Sequence, residues 1–248
     1  MRRSVSTAGR LFILAATLSL CAPSGRAPQG AGKHSATGEW TGELIIEKLQ
    51  EQNRRRESRL RAYSVPSAYR VTNDKGKARA EARVILRFRA PETKEFTIVA
   101  ESGSEWIRSR VFKPLMEVEV ETAAGRNRYD SSITPDNYTF KLLGRETVEG
   151  ASCFVVETTA KRAHKYLFNG KVWVHAEDFA IVQVAGQPTQ NPSYWIKRVE
   201  FVRRNQKINE FWLPLKSESI THVRLFGKHT LTIDYDRYEI TQANGAAR

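Results

Sequence analysis

From about Arg61 onward the chain alternates apolar and polar side chains with a period of two, segment after segment. This alternation limits the possible folds more than any other feature. Residues 80–89 place Ala82, Val84, Leu86 and Phe88 on one face and Glu81, Arg83, Arg87 and Arg89 on the other. Phe96, Ile98 and Ala100 repeat the pattern. Trp195, Val199 and Phe201 share a face further on, and Leu231, Ile233 and Tyr235 face away from Thr230, Thr232, Asp234 and Asp236. Neighbouring side chains of a strand point to opposite faces, so each run predicts a half-buried antiparallel strand. Segments at 138–147, 151–161, 164–168, 171–175, 180–185, 195–204, 212–221 and 224–240 extend the series to about ten or eleven strands. Turn residues separate them at Glu149-Gly150, 176–178, 188–192 and 205–209. Asn169-Gly170 is the strongest hairpin signal, because a two-residue turn needs positive φ at both positions. Consecutive hairpins predict a meander, one large curled antiparallel sheet.

Two segments have helical spacing instead. Trp40, Leu44, Ile45 and Leu49 form a stripe after Thr41, a suitable N-cap, and the helix runs toward Leu60. Between strands, Trp106, Ile107, Val111 and Phe112 fit one face of a short helix ended near Pro114. A sheet of this size buries an apolar face only by curling around such helices, which makes Trp106, Ile107 and Phe112 a candidate lid. The alternative is an ordinary helix covering a sheet edge.

Residues 1–27 carry Arg2, Arg3, Arg10 and Arg26 and no acid, and residues 11–22 form an uncharged apolar run. Twelve such residues are too few to span a bilayer, which needs about 20, and after a basic start they read as a signal peptide. Cys21 leaves a lipid-anchored start open. Residues 28–39 read as a flexible tether, 40–241 as one domain, and 242–248 as a disordered tail. At 248 residues the chain has room for one larger all-β domain. Its net charge is +13, and +9 remains when the four arginines of residues 1–27 are set aside. A basic protein attracts nucleic acid, anionic membrane or an acidic partner, and export to the periplasm removes the first. Arg54, Arg55 and Arg56 are the densest basic cluster, expected either as a solvated helix end or as a contact for anionic head groups or an acidic partner.

If space remains inside the curl, its lining is apolar and suits an acyl chain. The candidate lining is Val84, Leu86, Phe88, Phe96, Ile98, Trp195, Val199, Phe201, Leu231, Ile233 and Tyr235; the alternative is that these side chains are simply core. Catalysis is not expected. The five histidines are scattered and no nucleophile–base or phosphate-loop motif is present, so neither metal nor cofactor is predicted. Cys153 is the only cysteine after residue 21 and reads as a small buried hydrophobe.

The stretch LLGRETVEGASCFVVETTAKRAHKYLFNGKVWVHAEDFAIVQVAG, with its Gly-x-Glu-x-Val-x-Gly lead and the acidic turn Glu177-Asp178, resembles outer-membrane lipoprotein-sorting proteins of the LolA/LolB-like superfamily. The later Phe211 to Pro214, Phe-Trp-Leu-Pro, strengthens the resemblance, which spans residues 40–240. It implies a mainly β (α+β) fold, an incomplete barrel with an N-terminal helix and a short inserted helix covering the concave face. It also implies a periplasmic, non-catalytic role in binding or transferring lipids or lipoprotein acyl chains. Related domains act as envelope sensors that bind a protein partner, and that is the alternative. The chain is longer and more basic than the dedicated carriers, so their gating residues are not transferred to positions here.

Overall fold

The computed structural model describes residues 39–191, 196–224 and 227–242. The expected signal segment, Cys21, nearly all of the tether and Trp195 lie outside these residues, as does the tail beyond Gln242.

Helix α1 (Gly42–Arg59) begins where Thr41 Oγ1 accepts a hydrogen bond from the Leu44 N–H at 3.2 Å. Glu43 in its first turn and Arg56 and Arg59 in its last complement the helix dipole. Three strands follow, β1 (Leu60–Asn73), β2 (Ala78–Arg89) and β3 (Thr93–Gly103). A helical strap comes next: α2 (Glu105–Ile107), a π-helical turn (Arg108–Phe112), α3 (Lys113–Glu121) and α4 (Gly125–Ser131). The remaining strands are β4 (Tyr138–Val148), β5 (Ala151–Ala160), β6 (Phe168–His175), β7 (Ile181–Pro188), β8 (Ile196–Ile208), β9 (Phe211–Val223), β10 (Gly227–Tyr235) and β11 (Glu239–Gln242).

All eleven strands join one antiparallel sheet in the order β3-β2-β1-β10-β9-β8-β7-β6-β5-β4, with β11 also on β1. It is an open, curled sheet that does not close into a barrel. The order departs from a simple meander. The first three strands form one meander and β4 to β10 another, and the pairing of β1 with β10 welds them. The two edges, β3 and β4, are consecutive in the chain, and the helical strap runs from one to the other.

Several local expectations change. Asn169-Gly170 is no turn; both residues lie inside β6, where Gly170 pairs with Gly186 of β7 and Asn169 Oδ1 accepts from the Ala160 N–H at 2.8 Å. The two-residue hairpin with positive φ at both positions is Glu149-Gly150, at 50° and 83°. Residues 164–167 form a turn rather than a strand, clamped by Thr189, whose Oγ1 accepts from His164 N–H at 2.9 Å. The expected last strand is two, β10 and β11. Nor does the inserted helix end at Pro114. At the π turn the Lys113 N–H bonds to Arg108 O, five residues back, so Pro114 falls at the start of α3, where its missing N–H leaves no bond unmade.

Two of the three core clusters lie under the two helical segments. Ile45, Ile46 and Leu49 of α1 pack with Tyr138, Phe140, Phe154, Val156, Phe168 and Phe201. Ile107, Val111, Phe112, Leu115 and Met116 of the strap pack with Tyr69, Val84, Leu86, Leu231, Ile233 and Tyr235. Cys153 is fully buried, and burial pushes its thiol up to about 11, so it is unreactive near neutral pH.

Candidate functional site

Where the C-terminal end of α1 meets the strap and the start of β1 lies a cavity of about 340 Å³. Its apolar wall is built from Leu60 and Tyr63 at the start of β1, Phe88 at the end of β2, Pro91 of the β2–β3 turn, and Phe211 to Pro214 of β9. Tyr63 stacks on Phe88 at 5.2 Å between ring centres and meets Tyr238 edge-on at 5.5 Å; Tyr238 in turn donates its hydroxyl to Pro214 O at 2.7 Å. That network fixes one wall.

The polar part of the lining is unusual in sign. Arg56, Arg61, Lys94, Arg128 and Arg203 contribute five basic side chains, against the single acid Glu57. Lys94 Nζ lies 3.3 Å from Glu119 Oε2, and both side chains are nearly buried, at 14% and 4% exposure. Arg203 is buried among Tyr235, Glu119, Tyr238 and Tyr63; burial works against its charge, and Glu119, the one carboxylate of the group, supports it. Arg128 reaches from α4 to Glu57 at 3.3 Å and Glu92 at 3.1 Å, tying the strap to α1 and to the β2–β3 turn. Its Nε N–H and Glu57 Oε1 are buried without a hydrogen-bond partner in the protein. Burial lowers the basicity of both Arg56 and Arg128, although a guanidinium stays charged throughout the accessible range.

Glu57 is the one group here whose charge changes near neutral pH. Burial pushes its carboxyl up to about 8, against the pull of Arg54. A carboxyl raised in the folded state costs no stability below its unfolded value. It subtracts stability as pH rises toward the folded value, because the unfolded chain ionises first. The Glu57→Gln variant is therefore expected to gain on the parent protein as pH rises, by about 1.4 kcal/mol or more between about pH 5 and about pH 9. Urea unfolding of both proteins across that window checks it; parallel pH profiles would remove the buried-acid assignment.

The residues expected to line a cavity mostly do not. Val84, Leu86, Leu231, Ile233 and Tyr235 lie in the filled cluster beneath the strap, and Phe201 in the cluster beneath α1, its ring 5.5 Å from that of Phe168. Val199 is also buried. Phe96 is half-buried against the strap cluster. Only Phe88 reaches the cavity wall. Ile98 is 43% exposed: it lies on the edge strand β3, next to a register shift opposite Arg83 and Val84, with no strand beyond it. Of the expected lid, Ile107 and Phe112 pack inward, whereas Trp106 is 59% exposed in the first turn of the strap and covers nothing. In the basic cluster, Arg54 and Arg55 face solvent, Arg55 pairing with Glu51 at 2.7 Å. Arg56 turns inward instead. It donates to the backbone carbonyls of Asp178 and Phe179 and lines the cavity, so it is not a free surface cation.

Lys94 and Arg203 carry a signal of their own in their parity. Lys94 shares the alternation of Phe96, and Arg203 that of Val199 and Phe201, so both cations sit on inward positions.

A family described as "Uncharacterized protein" matches residues 129–242. No curated protein matches the chain. Among solved structures, a LolA superfamily protein of Nitrosomonas europaea is 14% identical, with 82% of this chain and 94% of that one covered at a TM-score of 0.44. A DUF1329 family protein of Desulfovibrio piger is 12% identical, covering 79% and 92% at 0.43. An outer membrane lipoprotein-sorting protein domain of Vibrio parahaemolyticus is 10% identical, covering 81% and 92% at 0.44.

Proposed function

We propose that this protein binds lipids, or the acyl chains of lipoproteins, in the bacterial envelope, holding or transferring them without catalysis. The observation that carries this reading is the cavity of about 340 Å³ at the seam between α1 and the strap, walled by Tyr63, Phe88, Phe211 and Leu213. It falls within the range of about 300–1,000 Å³ typical of small-ligand sites, and its apolar wall suits hydrocarbon. The basic surplus and the amino-terminal signal pattern fit an exported protein working beside anionic membranes, with the exposed Arg54 and Arg55 as contacts for head groups. No helix among the described residues is long and apolar enough to cross a membrane.

A second reading, an envelope sensor or assembly subunit that binds a protein partner, is favoured by the edge strand β3. Ile98 and Val99, with nearby Trp106, are exposed there at 43%, 60% and 59%. Apolar groups along an open strand edge suit a protein contact.

Native mass spectrometry of the protein purified from membranes without delipidation separates the two. The expected result is a stoichiometric acyl-bearing ligand, lost in Phe88→Asp. A ligand-free protein that also takes up no fluorescent acyl probe would leave the partner-binding reading as the better account.

A further inference from the structure

We propose that the corner where β2, the edge strand β3 and the start of the strap meet is a docking surface for anionic membrane. Ile98, Val99 and Trp106 enter the interfacial layer there, while Lys75, Lys77, Arg79 and Arg83 meet lipid phosphates. This surface shares no residue with the cavity lining and does not depend on the acyl-binding reading.

The backbone builds the apolar tip. Ile98 pairs with Val84 and Ala100 with Arg83, so a register shift leaves Val99 without a partner on the edge strand. Gly103 then turns the chain out of β3 at a φ of 78°, so close to β2 that a Cβ would lie 2.4 Å from Arg79 O. Ser104 continues the contact, donating its N–H to Arg79 O at 2.8 Å and accepting from the Ile107 N–H at 3.5 Å. Ile107 packs inward, which leaves Trp106 exposed on the outer side of the first strap turn, beside the start of β2. An indole suits that position on a membrane, since its apolar ring and N–H belong at the boundary between hydrocarbon and head groups.

Charge decides the occupant. Arg79 and Arg83 share the outward face of β2, about 13 Å apart along the strand. Across from Arg83 lie Ala68 on one side and Ala100 on the other, neither of them an acid. Lys75 and Lys77 stand in the β1–β2 turn at the same end, which Asn73 fixes by accepting both their backbone N–H groups, at 3.2 and 2.9 Å. All four cations are exposed, and none is ion-paired among the described residues. Of the nearby acids, Glu81 is taken by Arg70 at 2.7 Å and Glu101 by Arg108 at 2.8 Å, leaving Asp74 and Glu105 against the four. Cations of this kind gather a protein at an anionic surface, and exposed apolar side chains beside them hold it there. A protein strand added to β3 would need an unbroken ladder, which the Val99 bulge interrupts; a membrane asks for no register.

The test is flotation of the full chain with vesicles of phosphatidylcholine alone or of phosphatidylcholine and phosphatidylglycerol in equal parts. The amino-terminal segment is common to all variants and cancels in their comparison. The parent protein is expected to prefer the anionic vesicles. Combining Arg79→Gln with Arg83→Gln should lower that binding about tenfold or more, since each basic side chain near such a surface is worth roughly fivefold. Trp106→Ser should lower it about fivefold. Urea midpoints and uptake of a fluorescent acyl probe should stay at parent values, because these side chains lie outside the core and the cavity. Equal binding to both vesicles, or a loss in only one of the two corner variants, would overturn the proposal. A loss confined to Arg54→Gln with Arg55→Gln would also overturn it and move the membrane contact to the end of α1. A parent protein that ignores anionic vesicles leaves the corner to the protein contact instead. Corner-dependent flotation by a protein that takes up no acyl probe upholds the surface and removes the cavity reading alone.

Discussion

Replacing Gly170 by alanine is expected to cost about 3 kcal/mol or more of stability, seen as a large fall in the urea midpoint with an unchanged slope. A Cβ built at Gly170 would lie 2.0 Å from Ala185 O and 2.6 Å from the Gly186 Cα, both backbone atoms of the neighbouring strand. No rotamer change relieves a clash with backbone, so β6 and β7 must move apart. Phe168 and Val172 of β6 and Val184 of β7 belong to the cluster beneath α1, so separating these strands loosens the packing that holds the helix on the sheet. Gly150→Ala provides the comparison. Gly150 has φ of 83°, but a Cβ there meets nothing within 4 Å, so only the left-handed backbone penalises it, by about 1–2 kcal/mol. If Gly170→Ala costs no more than Gly150→Ala, the close approach of β6 to β7 is not what requires glycine.

That same glycine shows where the sequence could be read and where it could not. Asn-Gly is a turn signal because of what the two residues permit, positive φ, and permission is not requirement. Here the pair uses a different property of glycine, the absence of a Cβ facing a neighbouring backbone, and no local pattern distinguishes the two. Period-two alternation placed β2, β8 and β10 with their inward faces right, because burial on one face is a property of each strand alone. The Thr41 cap and the stripe of α1 are equally local. The pairing of β1 with β10 is not: about 160 residues separate them, and nothing in either strand names the other. The continuation of the strap past Pro114 depended on a π turn that changes the hydrogen-bond register just ahead of the proline. Which apolar residues line a cavity and which fill the core depends on how two helices meet over one sheet. That is a matter of packing: of one buried cluster, Phe211 and Leu213 also reach the wall, whereas Val84, Leu86, Leu231 and Ile233 do not. The inward cations were legible through parity, but only if basic residues are allowed on an apolar face.

Those inward cations make Glu119 the acid whose loss should matter most. Glu119→Gln is expected to lower stability by about 3–5 kcal/mol, since removing one member of a buried ion pair leaves its partner charged and uncompensated. The carboxylate lies 3.3 Å from Lys94 Nζ at 4% side-chain exposure, and it also contributes to holding the charge on Arg203. Glutamine keeps the shape and removes only the charge, so cavity creation does not enter. The surface pair Lys48–Glu51, with Lys48 44% exposed, sets the scale for an exposed bridge, and Glu51→Gln should cost at most about 1 kcal/mol. The two costs, measured side by side by urea unfolding, distinguish a buried electrostatic role for Glu119 from a general loss of charge. A further consequence ties stability to the site. With Glu119 neutralised, the net charge at the cavity becomes more positive by one, so an anionic amphiphile such as palmitate should restore more stability to Glu119→Gln than it adds to the parent protein. Hexadecanol should add the same to both. If palmitate stabilises the two proteins equally, Glu119 holds the fold together without shaping what the cavity binds.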